Sequence, residues 1–169
     1  MISFRVCGFF SFVFLSFVSL FPADTMCEFE LGSLNLNGAR EAVKRASLFS
    51  LSQAKKLDVL FIQETHSTPE LEADWKKEWG GQVHLSHGSS TSSGVGVLFS
   101  RGFLPVSSSS EEVIPGRLLK VSAVFEDVPM VFINVYAPTV GRQRVEFFSV
   151  LSDVLPLTSV MCGGTFIQG

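Results

Sequence analysis

Cysteine is scarce: Cys7, Cys27 and Cys162 are the chain's three, far apart and without C-x-x-C spacing. With His66, His84 and His87 they match no zinc pattern, and an odd, dispersed set suggests no disulfide framework. Charge is scarce too. Charged residues make up 17% of the chain and the formal net charge is -3, which excludes a globally basic surface that coats nucleic acid but leaves room for a local basic patch. No G-x-S-x-G turn is present, so a serine hydrolase of that type lacks its nucleophile. "GVGVLF" begins like a dinucleotide loop, yet it lacks the third glycine and sits inside a strand-like run. No internal repeat is found. The apolar run near the N-terminus, Val6 to Phe21, falls short of the ~20 residues that span a bilayer.

That run is nonetheless conspicuous, because the chain's 17 phenylalanines crowd toward its front. Arg5 precedes it and Pro22-Ala23 close it, which is the order of a signal peptide. The cleavage pattern is poor, since Phe21 and Pro22 stand where small residues are wanted. A signal or anchor and an extension upstream of an older start at Met26 both remain open. Residues 1–26 are therefore set apart from a domain at 27–169, a length suited to one domain. A membrane enters only if the leader is an uncleaved anchor.

From Cys27 the pattern becomes regular. "CEFELGSLNLNG" alternates like a strand and ends in the turn dipeptide Asn37-Gly38. In "AREAVKRASLFSLSQAKK", Val43, Ala46, Phe49 (or Leu48) and Ala54 recur at helical spacing, with cations on the other faces. "LDVLFIQ" reads as a buried central strand. After Thr68-Pro69, cap and first turn, "ELEADWKKEW" is a short helix stopped by Gly80-Gly81. "QVHLSH", "GVGVLFS", "LLKVSAVFE" and "VPMVFINVYAP" are strands, while Ser86–Ser93 and Ser107–Ser110 read as hairpin loops. "RQRVEFFSVLSDVL" is a helix whose inner face carries Val145, Phe148 (or Phe147) and Leu151 or Leu155. A last strand, Ser159 to Cys162, runs into Gly163-Gly164. The order β-α-β-α-β-β-β-β-α-β predicts an α/β sandwich with mixed sheets flanked by helices.

Polar groups stand where apolar strands stop: Asn35, Glu64, and Asn134 with Tyr136. Oxygen donors converging at the C-terminal rim of a sheet suit a hard cation such as Mg²⁺. Each has a plainer reading: turn formation for Asn35, a surface acid for Glu64, packing on Pro138 for Tyr136. His66 has nothing nearby in sequence to orient it as a base. It is expected to hydrogen-bond the loop after Glu64.

"SLNLNG", "LDVLFIQETH", "INVYAP" and a final strand into Gly-Gly, in that order, resemble the exonuclease–endonuclease–phosphatase superfamily. The likeness is nearest to the endonuclease domain of LINE-type non-LTR retrotransposons and covers Glu28 to Gly169. It implies a Mg²⁺-dependent DNA endonuclease, akin to exonuclease III and AP endonucleases, that hydrolyses phosphodiesters, acts in the nucleus and needs no small-molecule cofactor. By this resemblance Asn35 helps hold metal and scissile phosphate, Glu64 binds the metal, and Tyr136 hydrogen-bonds the phosphate. The family's last strand runs into Gly-Asp-Phe-Asn, whose aspartate activates water and whose asparagine positions it. Here Thr165 and Ile167 occupy those two positions. A threonine hydroxyl is no base near neutrality, and the family's later strands have no counterpart before Gly169. The expectation is a truncated α/β sandwich that binds Mg²⁺ weakly or not at all and turns over little or nothing. Non-catalytic DNA contact, an inert remnant and a secreted deoxyribonuclease-like protein are the alternatives. DNA contact would fall to Arg40 and Lys44, read as sharing a helix face, and to Arg142 after the "YAP" loop.

Overall fold

The computed structural model describes residues 12–18, 28–89, 93–155 and 160–165. Two mixed sheets pack face to face with helices outside them. The first sheet has the order β1-β2-β3-β5-β4, from β1 (Phe12–Val18), β2 (Glu28–Asn35), β3 (Val59–Gln63), β4 (Gln82–Ser86) and β5 (Val95–Phe99). The second runs β6-β7-β8-β9, from β6 (Ser107–Ile114), β7 (Leu118–Phe125), β8 (Val128–Tyr136) and β9 (Val160–Thr165). Helix α1 (Ala42–Ala54) links β2 to β3, a 3-10 turn (Pro69–Leu71) leads into α2 (Glu72–Trp79), and α3 (Gly141–Val154) links β8 to β9. The pairs β2–β3 and β8–β9 are parallel and the other neighbours antiparallel. Among the described residues no helix is long and apolar enough to cross a membrane.

Strand alternation sorts the core into three layers. Phe29, Leu31, Val59, Phe61, Val97 and Phe99 from the first sheet meet Leu119, Val121, Met130 and Phe132 from the second. The intervening residues Leu60, Ile62 and Leu98 turn outward against Leu48 and Phe49 of α1 and Trp75 and Trp79 of α2. On the far side, Leu118, Ile133 and Val135 pack on Phe147 of α3. Strand β3 is therefore buried on both faces, which is why "LDVLFIQ" reads as one apolar run.

Several local expectations are corrected. Ser107–Ser110 is not a loop but the start of β6, an edge strand whose mostly exposed residues give no apolar alternation to read. Helix α1 buries Arg45, Leu48, Phe49 and Ser52, whereas Val43 is 77% exposed. The cation is inside because Arg45 forms an ion pair with Glu78 of α2 at 2.6 Å and donates to the carbonyls of Ala39 and Arg40. Helix α3 turns Phe147 inward and leaves Val145 74% exposed. Thr68 does occupy the N-cap, but it makes no side-chain cap bond; its hydroxyl goes to the Glu70 carboxylate instead. Gly80, at φ 72°, ends α2 as expected of glycine in the left-handed region. Part of the apolar run set apart in sequence, Phe12–Val18, pairs antiparallel with β2 as a sheet strand.

Candidate functional site

The parallel strand pairs end at the same rim. In the first sheet Asn35 lies level with Gln63, so Glu64 is the next residue out. In the second, Tyr136 lies level with Thr165. The loops after β2 and β3 prolong the parallel ladder: Leu36 N–H donates to Gln63 O at 2.8 Å, Gly38 N–H to Glu64 O at 2.7 Å and Ala39 N–H to Thr65 O at 2.9 Å. Asn37 and Gly38 both take positive φ, 47° and 82°. That turn brings the Asn37 N–H back onto Asn35 Oδ1 at 3.0 Å. Glu64 itself has φ 50°, a conformation that costs a non-glycine residue about 1–3 kcal/mol and collects at functional sites.

These constraints bring three of the sequence candidates together. Asn35 Nδ2 donates to Glu64 Oε1 at 2.8 Å. The Tyr136 phenol hydrogen-bonds the same carboxylate, and burial first, then that bond, raise its pKa above the ordinary value. All three side chains are half-buried. One carboxylate thus sits between an amide and a phenol at the mouth between two sheets.

The remaining candidates are placed differently. Asn134 is not at the rim but fully buried, between the sheets. It accepts from Gln63 Nε2 at 2.8 Å and donates to the Ile62 and Gly96 carbonyls at 2.9 and 2.6 Å. Arg40 lies in the loop before α1 and so shares no helix face with Lys44, whose Nζ donates to the Asn37 carbonyl at 3.0 Å. Arg142 is exposed in the first turn of α3. His66, at φ 52°, donates its backbone N–H to Ser93 O at 3.0 Å. Thr165 is placed by strand register alone, and Ile167 lies outside the described residues.

Two features of the rim escape a reading by motif. Arg117 stands in the β6–β7 turn with its guanidinium carbon 5.2 Å from the Tyr136 ring centroid. The dipeptide Gly116-Arg117, a cation just past a turn glycine at a sheet end, is the signal that could have found it. The second is a chain of polar groups behind Glu64. Thr65 Oγ1 and Ser67 Oγ are 2.9 Å apart, Ser67 Oγ is 3.0 Å from His87 Nδ1, and His87 Nε2 is 3.3 Å from Glu72 Oε2. Thr65 and Ser67 are fully buried, so this chain steadies the loop and presents no nucleophile.

For a cation, the rim offers the Glu64 carboxylate and the Asn35 amide oxygen. Among the described residues no group of three His, Cys, Asp or Glu side chains could hold a metal ion. The donors are hard oxygens, and Mg²⁺ commonly binds through one or two carboxylates with substrate phosphate and water completing its shell. The residues fit such an ion, and one carboxylate makes the fit weak without phosphate.

Comparison with known proteins bears on the fold. No family model matches the chain. It is 43% identical over 140 residues to the Transposon TX1 uncharacterized 149 kDa protein of Xenopus laevis, an alignment covering 80% of this chain and 11% of that protein. Among solved structures, an AP endonuclease from Archaeoglobus fulgidus superposes with TM-score 0.58 at 20% identity, covering 79% of this chain and 55% of that one. The endonuclease domain of TRAS1, a telomere-specific non-LTR retrotransposon, gives 0.55 at 13%, covering 79% and 57%. D. rerio TDP2 complexed with a single-strand DNA product gives 0.58 at 17%, covering 79% and 58%. The fold is the one shared by the exonuclease–endonuclease–phosphatase superfamily. The chain spans about a tenth of its transposon relative and little more than half of these structural neighbours.

Proposed function

We propose that the rim is a phosphodiester site of the retrotransposon endonuclease type, that DNA is its substrate, and that its catalytic power is reduced. The observation that carries this reading is the Glu64 carboxylate, held between the Asn35 amide and the Tyr136 phenol where two parallel strand pairs end. Three side chains from two sheets meeting at one carboxylate, with a strained backbone beneath it, are difficult to assign to packing alone.

Each group has a role matched to its chemistry. The raised pKa keeps the Tyr136 phenol protonated at neutral pH, so it can donate to a phosphate oxygen as it now donates to Glu64. Asn35 fixes the carboxylate's orientation through Nδ2, and its own orientation is fixed by the Asn37 N–H. Glu64 and Asn35 would hold a divalent cation, which when bound supplies Lewis-acid neutralisation of phosphate charge. Water activation is where the site is poor. Thr165, level with Tyr136 on the neighbouring strand, is of a residue type that cannot take a proton near pH 7. Loss of a general base costs about 10²–10⁴ in rate, so turnover is expected to be small.

Nicking of supercoiled plasmid in Mg²⁺ tests the reading. The wild-type chain is expected to nick weakly or not at all. The double variant Thr165→Asp, Ile167→Asn is expected to nick at least about tenfold faster, and adding Glu64→Ala should abolish that gain. A gain untouched by Glu64→Ala would place the chemistry elsewhere.

A further inference from the structure

Arg117 is bound into the rim by its backbone as well as its side chain. The Tyr136 N–H donates to Arg117 O at 2.8 Å, and Arg117 Nη1 reaches back to Tyr136 O at 3.5 Å. The preceding Gly116, at φ 67°, is clamped between the sheets: its N–H donates to Ser86 Oγ at 2.8 Å and its carbonyl accepts from Gly94 N–H at 2.9 Å. A Cβ there would lie 2.8 Å from Gly88 Cα. The turn therefore cannot carry a larger residue without shifting, and the guanidinium that follows is held over the Tyr136 ring.

Its charge is not spent on a carboxylate. The ion pairs among the described residues include Arg45–Glu78, Lys76–Glu72, His87–Glu72 and Lys120–Glu111, and Arg117 enters none of these. A half-buried guanidinium without an anion is poorly compensated. A planar guanidinium matches phosphate oxygens two at a time, and stacking on an aromatic ring leaves the donors other than Nη1, which reaches the Tyr136 carbonyl, at its edge to meet them. The neighbouring Tyr136 hydroxyl is the group already assigned to phosphate, and Glu64 brings only one negative charge to the rim.

We infer that Arg117 is a phosphate-binding residue of this site, taking a nonbridging oxygen of the phosphodiester whose other oxygen Tyr136 bonds, so that the backbone of DNA is held there even without a divalent cation. This rests on the reading of the rim as a phosphodiester site and adds to it a second, metal-independent source of positive charge.

Tyr136 is the chain's single tyrosine, so protein grown with 3-fluorotyrosine carries one ¹⁹F resonance, located at the rim. The probe is the dinucleotide thymidylyl-thymidine, titrated in EDTA. Wild type should show a saturable shift of that resonance. Arg117→Ala should bind at least about tenfold more weakly, as expected for losing one charged bidentate contact. Arg117→Lys, which keeps the charge and loses the fork, should fall between them and guards against a variant that merely misfolds. Equal binding by wild type and Arg117→Ala overturns the inference. Binding by wild type only after Mg²⁺ is added overturns it while leaving the phosphodiester reading standing. No shift with or without Mg²⁺ overturns both.

Discussion

At the scale of single residues, the rim depends on hydrogen bonds that short motifs only partly announce. "QETH" and "NVYAP" flagged Glu64 and Tyr136 because a carboxylate and a phenol at strand ends have a recognisable chemistry. Arg117 went unmarked because its significance lies in contact with a residue on the neighbouring strand. The Tyr136 phenol offers a direct check. Its pKa is raised by burial and by the Glu64 carboxylate, so ultraviolet titration of the lone tyrosine should show ionisation above the ordinary value of 10.0. Glu64→Gln should move that midpoint back toward the ordinary value, since a neutral amide no longer repels the phenolate. The sign for stability follows. The folded state prefers the protonated phenol, so this contribution is present in full below the unfolded pKa and is lost as pH rises through the raised folded one.

Among the elements, the least legible feature was the junction of α1 and α2. A cation at Arg45 reads as solvated from periodicity alone, yet it is the side chain that joins the two helices. Arg45 is buried, bonds both Glu78 oxygens at 2.6 Å and lies 5.8 Å from the Trp75 ring centroid. Periodicity could not reveal this, because the partner comes from another helix and the apolar stem of arginine packs like a core residue. Chemical denaturation should show Arg45→Ala losing about 2–3 kcal/mol, the scale of charge-assisted bonds with their packing. The bond to Arg45 holds the Glu78 carboxyl below the usual carboxylate range. Its contribution is present above the unfolded pKa and disappears as pH falls through the lowered folded one. Glu78→Gln should accordingly be less stable than wild type at neutral pH and converge with it in acid. Strand β6 was missed for a related reason, since a serine-rich edge strand is recognisable from its ladder and not from its composition.

For the molecule as a whole, the two-sheet architecture was legible because most strands alternate cleanly between two buried layers. The joint between the sheets was not. Gln63 and Asn134 look like ordinary polar endings of apolar strands, but each points into the inter-sheet core by strand parity. Gln63 Nε2 also lies 3.2 Å from Ser33 Oγ, making a buried network that bridges the two sheets. Asn134→Ala would leave the Gln63 amide and two backbone carbonyls without this partner. It should cost about 2–4 kcal/mol in a denaturant titration, with a cooperative transition retained. A loss below about 0.5 kcal/mol would mean that water replaces the bridge. The same joint holds the ends of β3 and β8 in register, and with them Glu64 and Tyr136. The central claim, that these residues form one cation-assisted phosphodiester site, is tested most directly by electron paramagnetic resonance of Mn²⁺ as thymidylyl-thymidine is added. With wild-type protein the free-ion signal should fall as the dinucleotide binds, and with Glu64→Ala it should not; an equal fall in both would contradict the account.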